Sequence, residues 1–135
     1  MPTVRRIGSA RFFFYSNEGS EPPHVHVEQG GSVAKFWLAP VSLAGVTSSS
    51  PSVDPRATDV AITDDDLTVD LADGRRVTVP LAWFPRLLHA KPDQRKNWRI
   101  IGDGQGIRWP DVDEDLSVSG LLRGAAAPDA SKRAV

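Results

Sequence analysis

The run Glu21-Pro22-Pro23-His24-Val25-His26-Val27-Glu28 places two of the chain's three histidines and a carboxylate at alternate positions. In an extended strand successive side chains point to opposite faces, so His24, His26 and Glu28 share one face while Val25 and Val27 share the other. Imidazoles two apart on a strand converge on one ion, with Glu28 or Glu21 as a third, oxygen ligand, and zinc or another divalent metal is what such a set takes. Without metal, one imidazole as base and the other as acid would suit chemistry near neutrality. The plain alternative is a solvated strand face that serves at most as a partner interface. The residues alone leave all three open.

Other chemistry-bearing groups have simpler readings. Asp64, Asp65 and Asp66 form an acidic run before a strand, which is ordinarily a solvated loop. Asp111, Asp113 and Asp115 alternate, yet no glycine stands at the sixth position and no glutamate at the twelfth of a calcium loop counted from Asp111, so helix entry explains them better. Arg95, Arg99 and Arg108, with Lys96, surround Trp98 and Trp109, a mixture that could hold single-stranded nucleic acid by charge and stacking. The competing reading makes both tryptophans core anchors and the charges their rim. Gly102-Asp103-Gly104-Gln105-Gly106 lacks the lysine and hydroxyl residue of a phosphate loop and reads as a turn. His89, near a helix end, complements the helix dipole and is assigned no chemistry.

These residues need elements to position them. Arg11 to Tyr15 is an aromatic strand, Ser16 to Pro23 a turn-rich loop, and His24 to Glu28 the next strand. Gln29-Gly30-Gly31-Ser32 reverses the chain into Val33 to Leu38, closed by Pro40, so the first half is a small antiparallel meander. Residues 45 to 58 carry Ser, Thr, Pro and Asp with no buried period and read as a linker. The second half opens at Leu67. A three-residue loop ending in Gly74 sets Val69 opposite Val77, Leu67 opposite Val79 and Asp70 opposite Arg76, whereas a two-residue loop would mix apolar and charged faces. Leu81 to Ala90 reads as a short amphipathic helix beginning near Pro85, with one further turn at Pro92 to Arg95. A second hairpin joins Trp98 to Ile101 with Gly106 to Trp109. A last helix is expected over Leu116 to Leu122, with Asp115 able to cap it, and residues 125 to 135 are expected to be a disordered tail. The fold class is therefore α+β: a meander over 1 to 44, then an α+β domain over 59 to 124 with two hairpins and short helices.

Size and composition bound the function. A chain of 135 residues forms one domain or two small halves, and halves of about 60 residues need each other or another copy to be stable. With 16 Lys+Arg against 17 Asp+Glu, the net charge of -1 offers no global field for nucleic acid. The absence of cysteine excludes disulfides and thiolate chemistry. The beginning carries no secretory pattern and no segment approaches a membrane span, so a soluble, cytoplasmic protein is expected.

Two stretches together look like known families. Arg11-Phe12-Phe13-Phe14-Tyr15-Ser16-Asn17-Glu18-Gly19, the histidine run and Ala34-Lys35-Phe36-Trp37-Leu38 resemble domain-of-unknown-function family 4160. Val79-Pro80-Leu81-Ala82-Trp83-Phe84-Pro85-Arg86-Leu87, Arg95-Lys96-Asn97-Trp98 and Ile107-Arg108-Trp109-Pro110 with Asp113-Glu114-Asp115-Leu116-Ser117-Val118 resemble family 2442. The resemblance implies a bacterial or archaeal protein: members are commonly encoded side by side, and the pairs are proposed as toxin-antitoxin-like modules. It also implies that the first family's usual helical continuation, expected after Leu43, is replaced here by the linker.

The leading expectation is a noncatalytic interaction module with no cofactor, in which the two halves dock within one chain or between copies, a cognate toxin or antitoxin being the outside partner. The alternatives are a small His-dependent nuclease or metal-assisted phosphohydrolase, with Arg5, Arg6 or Lys35 holding phosphate, and a nucleic-acid-binding regulator using Arg95, Arg99 and Arg108.

Overall fold

A computed structural model describes residues 2–18, 21–38, 41–47 and 55–128 of the chain. It is built mostly of antiparallel strands with a few short helices, a small α+β fold. Strands β1 (Thr3–Ile7), β2 (Ala10–Phe13), β3 (His24–Gln29), β4 (Ser32–Leu38) and β5 (Val41–Thr47) form one sheet in chain order. Gly30 and Gly31, both at positive φ, make the two-residue reversal that pairs Gln29 with Ser32. Such a turn needs left-handed backbone at both centres, which glycine adopts without a Cβ penalty.

The second half carries two three-stranded sheets. Strands β6 (Ala57–Ile62), β7 (Asp66–Leu71) and β8 (Arg76–Pro80) form one of them. Val69 faces Val77, Leu67 faces Val79 and Asp70 faces Arg76, the register the apolar residues and Gly74 require. Gly74 sits at φ 92 and donates to Leu71. A 3-10 turn (Leu81–Trp83) and two short helices, α1 (Pro85–Leu88) and α2 (Pro92–Lys96), lead into β9 (Arg99–Ile101), β10 (Gly106–Trp109) and β11 (Glu114–Ser117), the second sheet. Helix α3 (Val118–Arg123) ends the fold at Gly124, which is left-handed. Leu67, Leu81, Phe84, Leu87, Trp109 and Leu116 are fully enclosed in this half's core. A smaller core of Phe13, Tyr15, Val33 and Ile101 draws on both halves.

Several elements depart from the sequence reading. The residues expected to start a helix at Leu116 form β11, with all four side chains buried, and the helix begins only at Val118. Asp115 does not cap it, because its carboxylate is taken by Arg11 and Arg108; the Ser117 hydroxyl accepts from Gly120 N–H instead. Strand β5 pairs with β4 as far as Thr47, so the expected linker gives up residues 45–47 to the sheet. Strand β6 was hidden by a register shift between Ala57 and Asp59, which breaks the period of two. β1 was hidden because four of its five residues are exposed and no apolar alternation marks it. In the expected tail, Ala127 is buried and donates to Trp83 C=O; residues 129–135 lie outside those described.

Candidate functional site

The two halves meet through a buried ionic joint. Arg11, from β2, donates to both carboxylate oxygens of Asp115 at 2.9 Å and to Glu28 Oε1 at 3.0 Å. Arg99 closes on the two Glu28 oxygens at 2.6 and 3.1 Å, and Arg108 donates to Asp115 at 2.8 Å and Asp113 at 3.1 Å. The Thr3 hydroxyl donates to Asp113 at 2.5 Å. Three guanidiniums thus face three carboxylates; the buried ones, Arg11 and Arg108 against Glu28 and Asp115, balance in charge and are hydrogen-bonded, the condition under which burial is tolerated, while Arg99 reaches in from the surface. Burial by itself would lower the pKa of Arg11, but Asp115 and Glu28 raise it above its ordinary value. Asn17 seals the edge of the joint, donating to Ser117 C=O at 3.0 Å and accepting from Ser117 N–H at 2.9 Å.

That reciprocal bond also sets where Glu18 lies. His24 and His26 do share a strand face, but the face is not solvated: their side chains are only 7% and 8% exposed. His26 stacks on Phe13 at 5.4 Å and meets Tyr15 edge-on at 4.6 Å, while His24 stands against Trp37 at 5.9 Å. The carboxylate beside them is Glu18, whose Oε1 lies 3.0 Å from His26 Nε2 and 3.4 Å from His24 Nε2. Glu28 shares the face by alternation, yet it is drawn into the joint by Arg11 and Arg99. Sequence reasoning missed Glu18 because it sits in a loop, where no period assigns a direction. Its nearness in sequence to the histidines was the one available signal.

One donor atom each from Glu18, His24 and His26 lies within 4.8 Å of the other two. Burial pushes the Glu18 carboxyl up, but the His26 bond, followed by Ser117 and His24, outweighs it and holds the group below its ordinary value. Glu21 brings its Oε2 to 3.7 Å from His24 Nε2, and Lys35 holds its other oxygen at 2.7 Å. A cavity of about 590 Å³ opens beside the cluster, lined by Tyr15, Glu18, Glu21 and His26 from the first half and by Gln105 and Arg123 from the second.

The other candidates are spent elsewhere. Arg95 donates to Leu87 C=O at 2.9 Å and Leu88 C=O at 2.7 Å, and Arg99 and Arg108 belong to the joint, so the three do not assemble into a basic patch. Trp109 is enclosed, with its indole N–H on Arg95 C=O, and offers no stacking face. Arg5 and Arg6 lie exposed on β1, while Lys35 sits over Trp37 at 4.4 Å. Asp113 is left-handed at φ 50 and accepts from Thr3 and Arg108, and Asp111 accepts from Asn97. No helix among the described residues is long and apolar enough to cross a membrane.

A five-stranded meander joined through buried ion pairs to a second α+β unit defines a chain of two associated parts. The chain belongs to the family of the model "Protein of unknown function (DUF2442)", which matches residues 57–127, and residues 10–54 match the model "Domain of unknown function (DUF4160)". It is similar to a crystal structure of a protein of unknown function from Rhodospirillum rubrum ATCC 11170, at 32% identity, covering 57% of this chain and 95% of that one, with a TM-score of 0.50. No curated protein matches.

Proposed function

We propose that the chain is a noncatalytic protein-interaction module related to toxin-antitoxin pairs, in which the antitoxin-like second half docks in the same polypeptide onto the histidine-bearing face of the toxin-like first half. The observation that carries this reading is the neutral joint of Arg11, Glu28 and Thr3 with Arg99, Arg108, Asp113 and Asp115, of which Arg11, Glu28, Arg108 and Asp115 are buried. Groups so placed are costly to separate, since the two-pronged Arg11–Asp115 pair and the Arg99–Glu28 pair both cross the joint. The linker raises the effective concentration of one half for the other, so docking needs little intrinsic affinity. The test is a protease site inserted between Ser48 and Ser52 of the full chain. After cleavage the halves should co-elute on size exclusion, and Asp115→Ala should separate them; halves that part in the unsubstituted protein would refute the reading.

A second reading, a small His-dependent nuclease or phosphohydrolase, has one specific observation in its favour, the cavity that His26 shares with Lys35 and Arg123. It requires purified protein to cleave RNA or a phosphate ester, and His24→Ala with His26→Ala to abolish the cleavage.

A further inference from the structure

We infer that Glu18, Glu21, His24 and His26 form a binding site for one divalent first-row transition ion, zinc foremost, at the head of the cavity. The first support is the tautomer of His24. Its Nδ1 lies 2.9 Å from Pro22 C=O, and a carbonyl only accepts, so Nδ1 carries the proton. With Nδ1 so engaged, Nε2 is the ring atom left to face Glu18 Oε1, 3.4 Å away, and Glu21 Oε2, 3.7 Å away. Carboxylate oxygens are acceptors too. A cation seated between the nitrogen and the two oxygens would bond to each of them. A ring nitrogen that donates to a backbone carbonyl while the other ligates is the usual arrangement of a metal-bound histidine.

A second support is independent of the histidines. Glu21 Oε2 is a buried atom with no hydrogen-bond partner, although Lys35 fixes the opposite oxygen of the same carboxylate. Buried acceptors are nearly always satisfied, so an orphan aimed at an imidazole nitrogen marks a place where something else binds.

The spacing fits a small ion. Zinc bonds of about 2.0–2.2 Å in a tetrahedron put neighbouring donor atoms about 3.3–3.6 Å apart. His26 to Glu18 at 3.0 Å and His24 to Glu18 at 3.4 Å lie near that edge, the ligand atoms of Glu18, His24 and His26 all fall within 4.8 Å of one another, and Glu21 Oε2 approaches His24 at 3.7 Å. Two nitrogens with two carboxylate oxygens favour zinc and its neighbours over calcium or magnesium, which prefer oxygen throughout. The rings are already held by Phe13, Tyr15 and Trp37, so little ordering remains to be done on binding. The site lies outside the ionic joint and requires no catalysis to exist, and Ser117 of the second half, bonded to Asn17, anchors the loop that carries Glu18.

The experiment is titration of the metal-free full chain with Zn²⁺ by calorimetry and with Co²⁺ by visible absorption. One equivalent of each should bind, Co²⁺ giving the intense bands of a tetrahedral site. His24→Ala with His26→Ala should weaken binding roughly 100-fold or more, and His89→Ala should leave it unchanged. Because the double substitution removes packed rings, Glu18→Gln with Glu21→Gln, which keeps shape, serves as the second variant, with folding followed by circular dichroism. No stoichiometric uptake by the unsubstituted chain, or uptake that survives both double variants, would overturn the assignment.

Discussion

Arg11 and Asp115 stand 104 positions apart in sequence and form a two-pronged ion pair, both bonds 2.9 Å, with side chains 2% and 0% exposed. Removing one member leaves the other with a single ionic partner, Glu28 for Arg11 or Arg108 for Asp115. Asp115→Ala removes the carboxylate shared by two buried guanidiniums, leaving Arg11 only Glu28 and Arg108 only Asp113, and is expected to destabilise the fold by about 3–5 kcal/mol. Replacing the pair together, as Arg11→Met with Asp115→Leu, should cost less than the sum of the single changes. Urea denaturation of Asp115→Ala and of the four proteins of that cycle measures both.

Glu114 gives the stability curve a sign. Burial raises its pKa from 4.5 to about 7, against the pull of the Ser16 hydroxyl, the Asp115 N–H and the Arg86 charge. The folded chain therefore holds this proton more tightly than the unfolded one. The contribution is full below the unfolded value and is lost as pH rises through the folded value, up to about 3 kcal/mol in all. Glu18, Glu28 and Asp113, lowered in the fold, act in the opposite sense only at the acid end. Melting midpoints from about pH 5 to about pH 8 should fall as pH rises, and Glu114→Gln should flatten that slope.

Gly120→Ala tests how closely the halves approach. In an ordinary helix interior this change gains about 1 kcal/mol. Here the new Cβ would lie 2.5 Å from Asn17 Nδ2 and 2.6 Å from Asn17 C=O, so part of it meets backbone that cannot rotate away. Overpacking of that kind costs about 1–3 kcal/mol, and the sign reverses. Gly106→Ala should behave likewise, its Cβ falling on the Tyr15 ring. Thermal melts of each variant decide the sign.

Arg95, Arg99 and Arg108 should contribute little to nucleic-acid binding, because each guanidinium is engaged within the chain. Anisotropy of a labelled single-stranded oligonucleotide is expected to show weak affinity with a shallow dependence on salt. Arg108→Ala should lower the melting midpoint and leave that dependence unchanged.

Local pattern reached some of this molecule directly. The β7–β8 register follows from Leu67, Val69, Val77 and Val79 sharing one face and Gly74 supplying the left-handed residue, all within a dozen positions. The shared face of His24 and His26 follows from strand alternation alone. The choice of partner for each carboxylate lay beyond such rules. Glu28 alternates with the histidines but is claimed by Arg11 and Arg99, Glu18 reaches them from a loop, and Asp115, placed by sequence to cap a helix, instead neutralises two arginines. Periodicity fixes which way a side chain points within its own element. Which of several like charges finds a given cation depends on distances across the docked halves, and those exist only once the chain has folded.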